Sequence, residues 1–211
     1  MTVQELKNEF LTRYDAATSL AAPGWEDSEI STFLNIAQIR LVTELFNAGN
    51  LPLLSNLIHT NSDTAVAMPD VSNGCIADIN NIHPTFLFYV GSRTKITRTN
   101  PVFTSTFIPN ELLTDQRFAW KFYHNPFNKL WLKYPKCYID YSGSQKSIVV
   151  LVDYYTDTPT EIELTAVIKP TDIDIDTNIN TNMDLVTHPT IVEYAVEEAL
   201  KSIKIAKTTN Q

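Results

Sequence analysis

Residues Pro23 to Asn50, PGWEDSEISTFLNIAQIRLVTELFNAGN, constrain the fold more than any other stretch. Ile30, Phe33, Leu34, Ala37, Leu41, Val42 and Leu45 recur at three- and four-residue steps, which predicts one apolar stripe on a helix. Pro23 and Gly24 break what precedes it, and Glu26, Asp27 and Glu29 supply negative charge at its N-terminus, with Asp27 or Ser28 as the cap. Gly49 stands where a helix ends on a left-handed residue. The opposite face carries Asn35, Gln38, Thr43 and Asn47, polar but uncharged; it is either solvated or set against another polar protein surface. The stretch holds no grouping for chemistry, so the chain is organised around a packing element.

Two more helices have stripes that need covering. Val3, Leu6, Phe10 and Tyr14 predict a helix over 2–20, with Thr2 and Glu5 as a capping box. Ile191, Val192, Ala195, Val196, Ala199, Leu200 and Ile203 predict another over 187–207, capped by Thr187, with Glu197 and Lys201 paired on its surface. A short helix starts at Leu51–Pro52 and stops near His59.

From Asn61 to Ile168 short β-rich runs alternate with Pro, Asn and Asp. Candidate strands cover 65–68, 75–82, two runs within 85–98 turning at Gly91–Ser92, 103–107, 129–134, 136–141, 147–155 and 161–168. Residues 109–123 read as a helix capped by Asn110. The run IVVLVDYY is apolar enough for a central strand. The expected fold class is α+β: a helical bundle from the N- and C-terminal helices with an inserted β-rich region. The expected parts are a helical 1–60, a β-rich 61–186 and a C-terminal helix 187–211 that packs back on the first two.

The chain has 211 residues, 44% of them apolar, enough for a real core. A net charge of -8 without a basic run argues against a phosphate-gripping surface. No apolar run reaches membrane-span length and the first 20 residues lack a secretory pattern. Cys75 and Cys137 are far apart and outside any CxxC, so two free thiols in a reducing cytosol are expected. The usual nucleotide, hydrolase and zinc motifs are absent, and five glycines leave little for a phosphate-cradling loop. His59, His83, His124 and His188 lie apart, without ligand spacing, and the expectation is no enzyme, no cofactor and no metal site.

Two stretches resist a purely local reading. KPTDIDIDTNINTNM, 169–183, alternates isoleucine with Asp and Asn; it opens like an EF-hand loop but has Thr177 and Met183 where that loop needs Gly and Glu, which leaves a solvated acidic segment or, as the alternative, a looser calcium or magnesium site. Its alternation implies one sticky face, so Ile173 and Ile175 are expected to contact a neighbouring copy, with Asp172, Asp174 and Asp176 solvated or facing basic residues. Residues 118–141 are thick with aromatics interleaved with lysines, and Trp120 and Trp131 are expected at a protein–protein interface.

Four stretches, in order along nearly the whole chain, resemble the head-to-tail ring (connector) proteins of crAss-like tailed phages. They are WEDSEISTFLNIAQIRLV; Pro109-Asn110-Glu111-Leu112 with the Asn125-Pro126-Phe127-Asn128-Lys129 turn; Val152-Asp153-Tyr154-Tyr155 with Pro159 and Ile162; and His188-Pro189-Thr190-Ile191-Val192-Glu193-Tyr194-Ala195-Val196. Leu130 stands where these proteins often carry a second proline. The resemblance implies a virion structural protein made in the host cytoplasm. It would form a twelvefold ring of its own copies below the portal, touching the portal protein and neighbouring tail or ring proteins, with DNA passing non-specifically through the lumen. The alternatives are a small β-rich glycan- or peptide-binding module of a phage or bacterium, which predicts a concave aromatic cleft, and a hydrolase with no recognisable motif, which predicts a pocket of strongly perturbed titratable groups.

Overall fold

The architecture is seen in a computed structural model that describes residues 1–18, 24–68, 74–98, 105–113, 135–141, 146–152 and 157–209. N- and C-terminal helices flank a β-rich region, so the fold is α+β. The chain divides into two compact units, Met1–Leu57 with Lys169–Gln211, and Ile58–Ile168. The second boundary falls at Ile168, not after residue 186 as the sequence suggested: the acidic segment 169–184 belongs with the helices.

In the helical unit, α1 (Val3–Thr18), α2 (Asp27–Asn47) and α4 (His188–Thr209) bury their stripes together, α4 lying against both others. Val3, Leu6 and Phe10 of α1, Ile30, Leu34 and Ala37 of α2, and Ile191, Val192 and Ala195 of α4 are fully buried. Phe10, Tyr14, Trp25 and Phe33 add a run of ring contacts at 5.0–6.3 Å. The α1 capping box forms as read: the Thr2 amide donates to Glu5 Oε2 (2.8 Å) and the Glu5 amide to Thr2 Oγ1 (3.3 Å). The cap of α2 is Glu26, one residue before the expected candidates, because Glu29 reaches back to its amide (2.9 Å). Gly49 ends the helix at φ +71°. A 3-10 turn over Leu51–Leu57 follows, and the chain enters a strand at Ile58.

The β unit holds two sheets among its described residues. One runs β1 (Ile58–Thr64), β9 (Asp157–Ile168), β4 (Phe86–Arg98), β5 (Thr106–Pro109), all antiparallel. The other runs β2 (Val66–Ala67), β3 (Gly74–Asp78), β8 (Ser147–Leu151), β7 (Lys136–Asp140), β6 (Glu111–Leu112), with only the β6–β7 pair parallel. A four-residue α3 (Ile79–Ile82) follows β3. Both sheets contribute to one core: Ile162, Leu164 and Ala166 of β9 meet Ile148 and Val150 of β8. The central-strand reading of β8 holds, since Val149 and Leu151 are buried on its other side too.

Three expectations are overturned here. Residues 86–98 form one strand, because β9 supplies partners straight through Gly91 and Ser92, with register shifts absorbing the irregularity. Strand β9 starts at Asp157, four residues before the expected 161, and its ladder with β4 runs through Pro159. Residues 109–112, read as a helix start, pass from β5 into β6, and Asn110 caps nothing. Its amide and side chain instead hold Ser92 (3.0 Å to the carbonyl, 2.9 Å to Oγ), and Thr94 donates to its Oδ1 (2.9 Å). Asn110 thus pins the crossing from one sheet to the other. The candidate strand 129–134 and the rest of the 109–123 helix lie outside the described residues.

Candidate functional site

Asn35 and Gln38, half of the polar face of α2, are taken up within the unit. They hold the segment 171–183. Asn35 works as a backbone mimic: its Nδ2 donates to the Ile173 carbonyl (2.9 Å) and its Oδ1 accepts the Ile173 amide (2.7 Å). Gln38 donates to Asn35 Oδ1 (2.8 Å) and accepts from Thr181 Oγ1. Ser31 Oγ accepts the Ile175 amide (3.1 Å). The segment also closes on the start of α1, where Asn180 Oδ1 takes the Val3 amide (2.6 Å).

Ile173 and Ile175 are therefore not interface residues. They are 1% and 3% exposed within their own subunit, which corrects the sequence reading. The alternation was read rightly as one sticky face; the surface that receives it is α2. Trp120 and Trp131 lie outside the described residues. The acidic triplet also has a local role. Asp174 Oδ1 accepts the amides of Asp176 (3.0 Å) and Thr177 (3.2 Å), and these bonds, the Thr177 ones first, lower the pKa of its carboxyl. Asn178 takes φ +58° inside the same turn, and Asp174 pairs with Ile179 across it.

The remaining candidates for chemistry are tied into the fold. His83 Nε2 meets the Leu164 carbonyl at 2.9 Å and His188 Nε2 the Met183 carbonyl at 3.3 Å, both rings buried. His59 lies in β1, and His124 lies outside the described residues. Cys75 and Cys137 flank Val150 in one row of the sheet. Two strand spacings separate them by about 10 Å, beyond disulfide reach. Burial pushes the Cys75 thiol up to about 12 and raises Cys137 as well, so neither is a ready thiolate. Among the described residues, no group of three or more His, Cys, Asp or Glu is placed to hold a metal ion. Among them, too, no helix is long and apolar enough to cross a membrane.

What stands out on the helical unit is surface. Asp184 caps a 3-10 turn, Leu185–Thr187, that leads into α4: its Oδ1 accepts the Val186 amide (3.0 Å), and its carbonyl accepts the Thr187 amide (2.9 Å) and hydroxyl (2.6 Å). Thr187, expected to cap α4, lies in this turn and donates to Asp184. The fixed turn leaves Leu185 and Val186 adjacent and 68% and 74% exposed. Further along, Thr32, Asn35, Ile36, Ile39, Lys169 and Asp172 line a shallow groove of about 500 Å³, with Ile36 49% exposed. Between them lies a charged cluster. Arg40 ion-pairs with Glu44 (3.1 Å) and Glu197 (2.8 Å), sits 4.0 Å over the Tyr194 ring, and is held charged chiefly by Glu197. Glu197 is thereby drawn away from Lys201, which pairs with Glu198 instead (2.6 Å).

Sequence reasoning passed over Leu185, Val186 and Ile36. Aliphatics just before a helix normally fold back as a hydrophobic staple, and nothing in the sequence says that these do not. On the β unit, the exposed face of β4, β5 and β9 carries Phe107, with Arg93 and Lys95 over its ring at 5.5 and 5.6 Å and Glu163 and Glu161 as their ion partners.

A scan against protein-family models finds no match to this chain, and a search of curated proteins finds none either.

Proposed function

We propose that the chain is a virion structural protein, with no catalytic role, that forms a ring in the head-to-tail connector below a portal. Copies of the chain are its first partners, twelve if the resemblance extends to copy number. The portal and the adjoining tail or ring proteins are the next, and DNA passes through the lumen without being held. The observation that carries this reading is the Leu185–Val186 pair. A turn fixed by three hydrogen bonds to Asp184 holds two aliphatic side chains out in water, which is what a surface built for a protein partner presents. Charge supports it: with -8 net, a surface of acids and acid–base pairs repels phosphate or ignores it.

The glycan-binding alternative draws on Phe107. A sugar stacks on a free ring face, and Arg93 and Lys95 already lie over this ring, so the face suits it less well. The deciding measurement is the mass of the purified full chain by sedimentation, alone and mixed with a portal protein. The reading expects a discrete closed oligomer, alone or on the portal; a monomer in both, at all concentrations, would overturn it.

A further inference from the structure

We propose that the Leu185–Val186 tip of one copy docks into the Ile36–Ile39 groove of the next; this rests on the ring reading and names the contact that builds the ring. The two surfaces lie well apart on the same unit. Arg40 meets Glu197 while Glu44 meets Tyr194, so α2 and α4 run antiparallel. Ile36 is then level with the middle of α4, about 20 Å along the axis from the tip. A tip and a groove on one chain can pair reciprocally in a twofold dimer or head to tail, and the ring reading takes the second arrangement, the kind of contact that generates a ring when its rotation closes.

Charge says why the occupant is another copy. Two chains of -8 repel over most of their surfaces, yet Leu185 to Val192 contains no charged residue. The groove balances Lys169 against Asp172, so it too is neutral. At the edges the signs match: Asp184 sets a negative charge beside the tip, and Lys169 a positive one at the groove rim. Among the described residues Lys169 is held there by its exposed pair with Asp172 (2.7 Å), an interaction weak enough to exchange for Asp184 of an incoming copy. The groove has room for two aliphatic side chains, and Ile36 and Ile39 give them an apolar floor.

The test uses the full chain. Ile36→Cys and Val186→Cys are made separately; Cys75 and Cys137 are buried and give little background. Under mild oxidation a mixture of the two variants should give a disulfide-linked dimer at least tenfold more than either variant alone. A chain carrying both changes should give a covalent ladder that ends at the ring's copy number. Leu185→Asp with Val186→Asp should abolish assembly and leave the melting curve in place, because both side chains already face water. If the wild type assembles but the mixture does not cross-link and the double Asp variant still assembles, this contact is wrong and the ring reading stands. If the wild type is monomeric and the tip variant loses portal binding instead, the tip belongs to the portal and the proposal falls. If the wild type neither assembles nor binds a portal, the ring reading fails first and this contact with it.

Discussion

Residues 161–168 and 171–183 are near neighbours in sequence, and both alternate aliphatic with polar residues, yet only the first lies in a sheet. Strand β9 pairs on both sides, with β1 and with β4, so its backbone is satisfied by other backbone. Its outward positions are Glu161, Glu163 and Thr165, which pair with Lys95, Arg93 and Thr60. In 171–183 the polar positions are mostly Asp and Asn. Their short side chains compete for nearby amides: Asp174 takes two of its own segment, and Asn182 takes the Thr171 amide at 2.8 Å. Asn35, Gln38 and Ser31 meet backbone groups of Ile173, Thr171 and Ile175, and main-chain bonding within the segment is confined to its turn, chiefly the Asp174–Ile179 pair. Alternation thus specifies two faces, while the kind of polar residue decides whether main chain or side-chain amides complete the hydrogen bonding.

The sharpest way to break the comparison is to put charge into each buried face. Leu164→Asp buries an unpaired carboxylate in the core shared by both sheets and should cost well over ~4 kcal/mol, abolishing the cooperative unfolding of the β unit. Ile173→Asp with Ile175→Asp should destabilise the helical unit by an amount on the order of 4 kcal/mol, even in an isolated subunit. Urea titrations followed by circular dichroism read both. If the isoleucine variant melts like the wild type and loses only assembly, the segment is an interface strand after all.

A smaller change separates the two kinds of hydrogen bonding. Asn35→Ala removes both bonds to Ile173 and leaves its amide and carbonyl short of partners, a cost of about 1–3 kcal/mol. Hydrogen exchange should then accelerate at Ile173 and Ile175 and stay unchanged through β9. Uniform acceleration in both would mean that the segment and the strand open together and are not held independently.

The helices were legible because each stripe had only one way to be covered. The stripes of α1, α2 and α4 predicted both the elements and their mutual packing, and Gly49 marked a real stop. Errors came where a residue type has two uses. Asn110 reads as a cap and is a staple between sheets; Gly91 reads as a turn and lies inside a strand that β9 carries through. Asn35 and Gln38 read as a wet face, because a side-chain amide that mimics backbone looks the same in sequence as one facing solvent. The tip was illegible for a related reason: exposure of Leu185 and Val186 depends on the path that Asp184 imposes on the turn, and no pattern of apolar spacing encodes that.

The gentlest perturbation is pH, acting where the latched segment ends. His188 is buried at the start of α4, its Nε2–H donating to the Met183 carbonyl, which sets the tautomer of the neutral ring. Burial lowers its pKa below the ordinary 6.5; the Met183 bond and Asp184 oppose this, and the amine of Met1 adds to it. As pH falls below 6.5 the unfolded chain gains a proton that the folded one refuses. The stability owed to neutral His188 is therefore fully present above 6.5 and is lost as pH falls toward the folded-state value. Carboxylates contribute little above about pH 5, so the window between belongs mainly to histidine. The histidines nearest β9 are His59, opposite Ala166 in β1, and His83, which meets the Leu164 carbonyl. Between pH 7 and 5, exchange at the amides of 181–183, taken relative to the intrinsic rate at each pH, should quicken while that of 161–168 holds steady, and His188→Gln should flatten the pH dependence. Equal quickening in β9, or a slope unchanged by His188→Gln, would place the sensitivity elsewhere, with buried His83 the next residue to change.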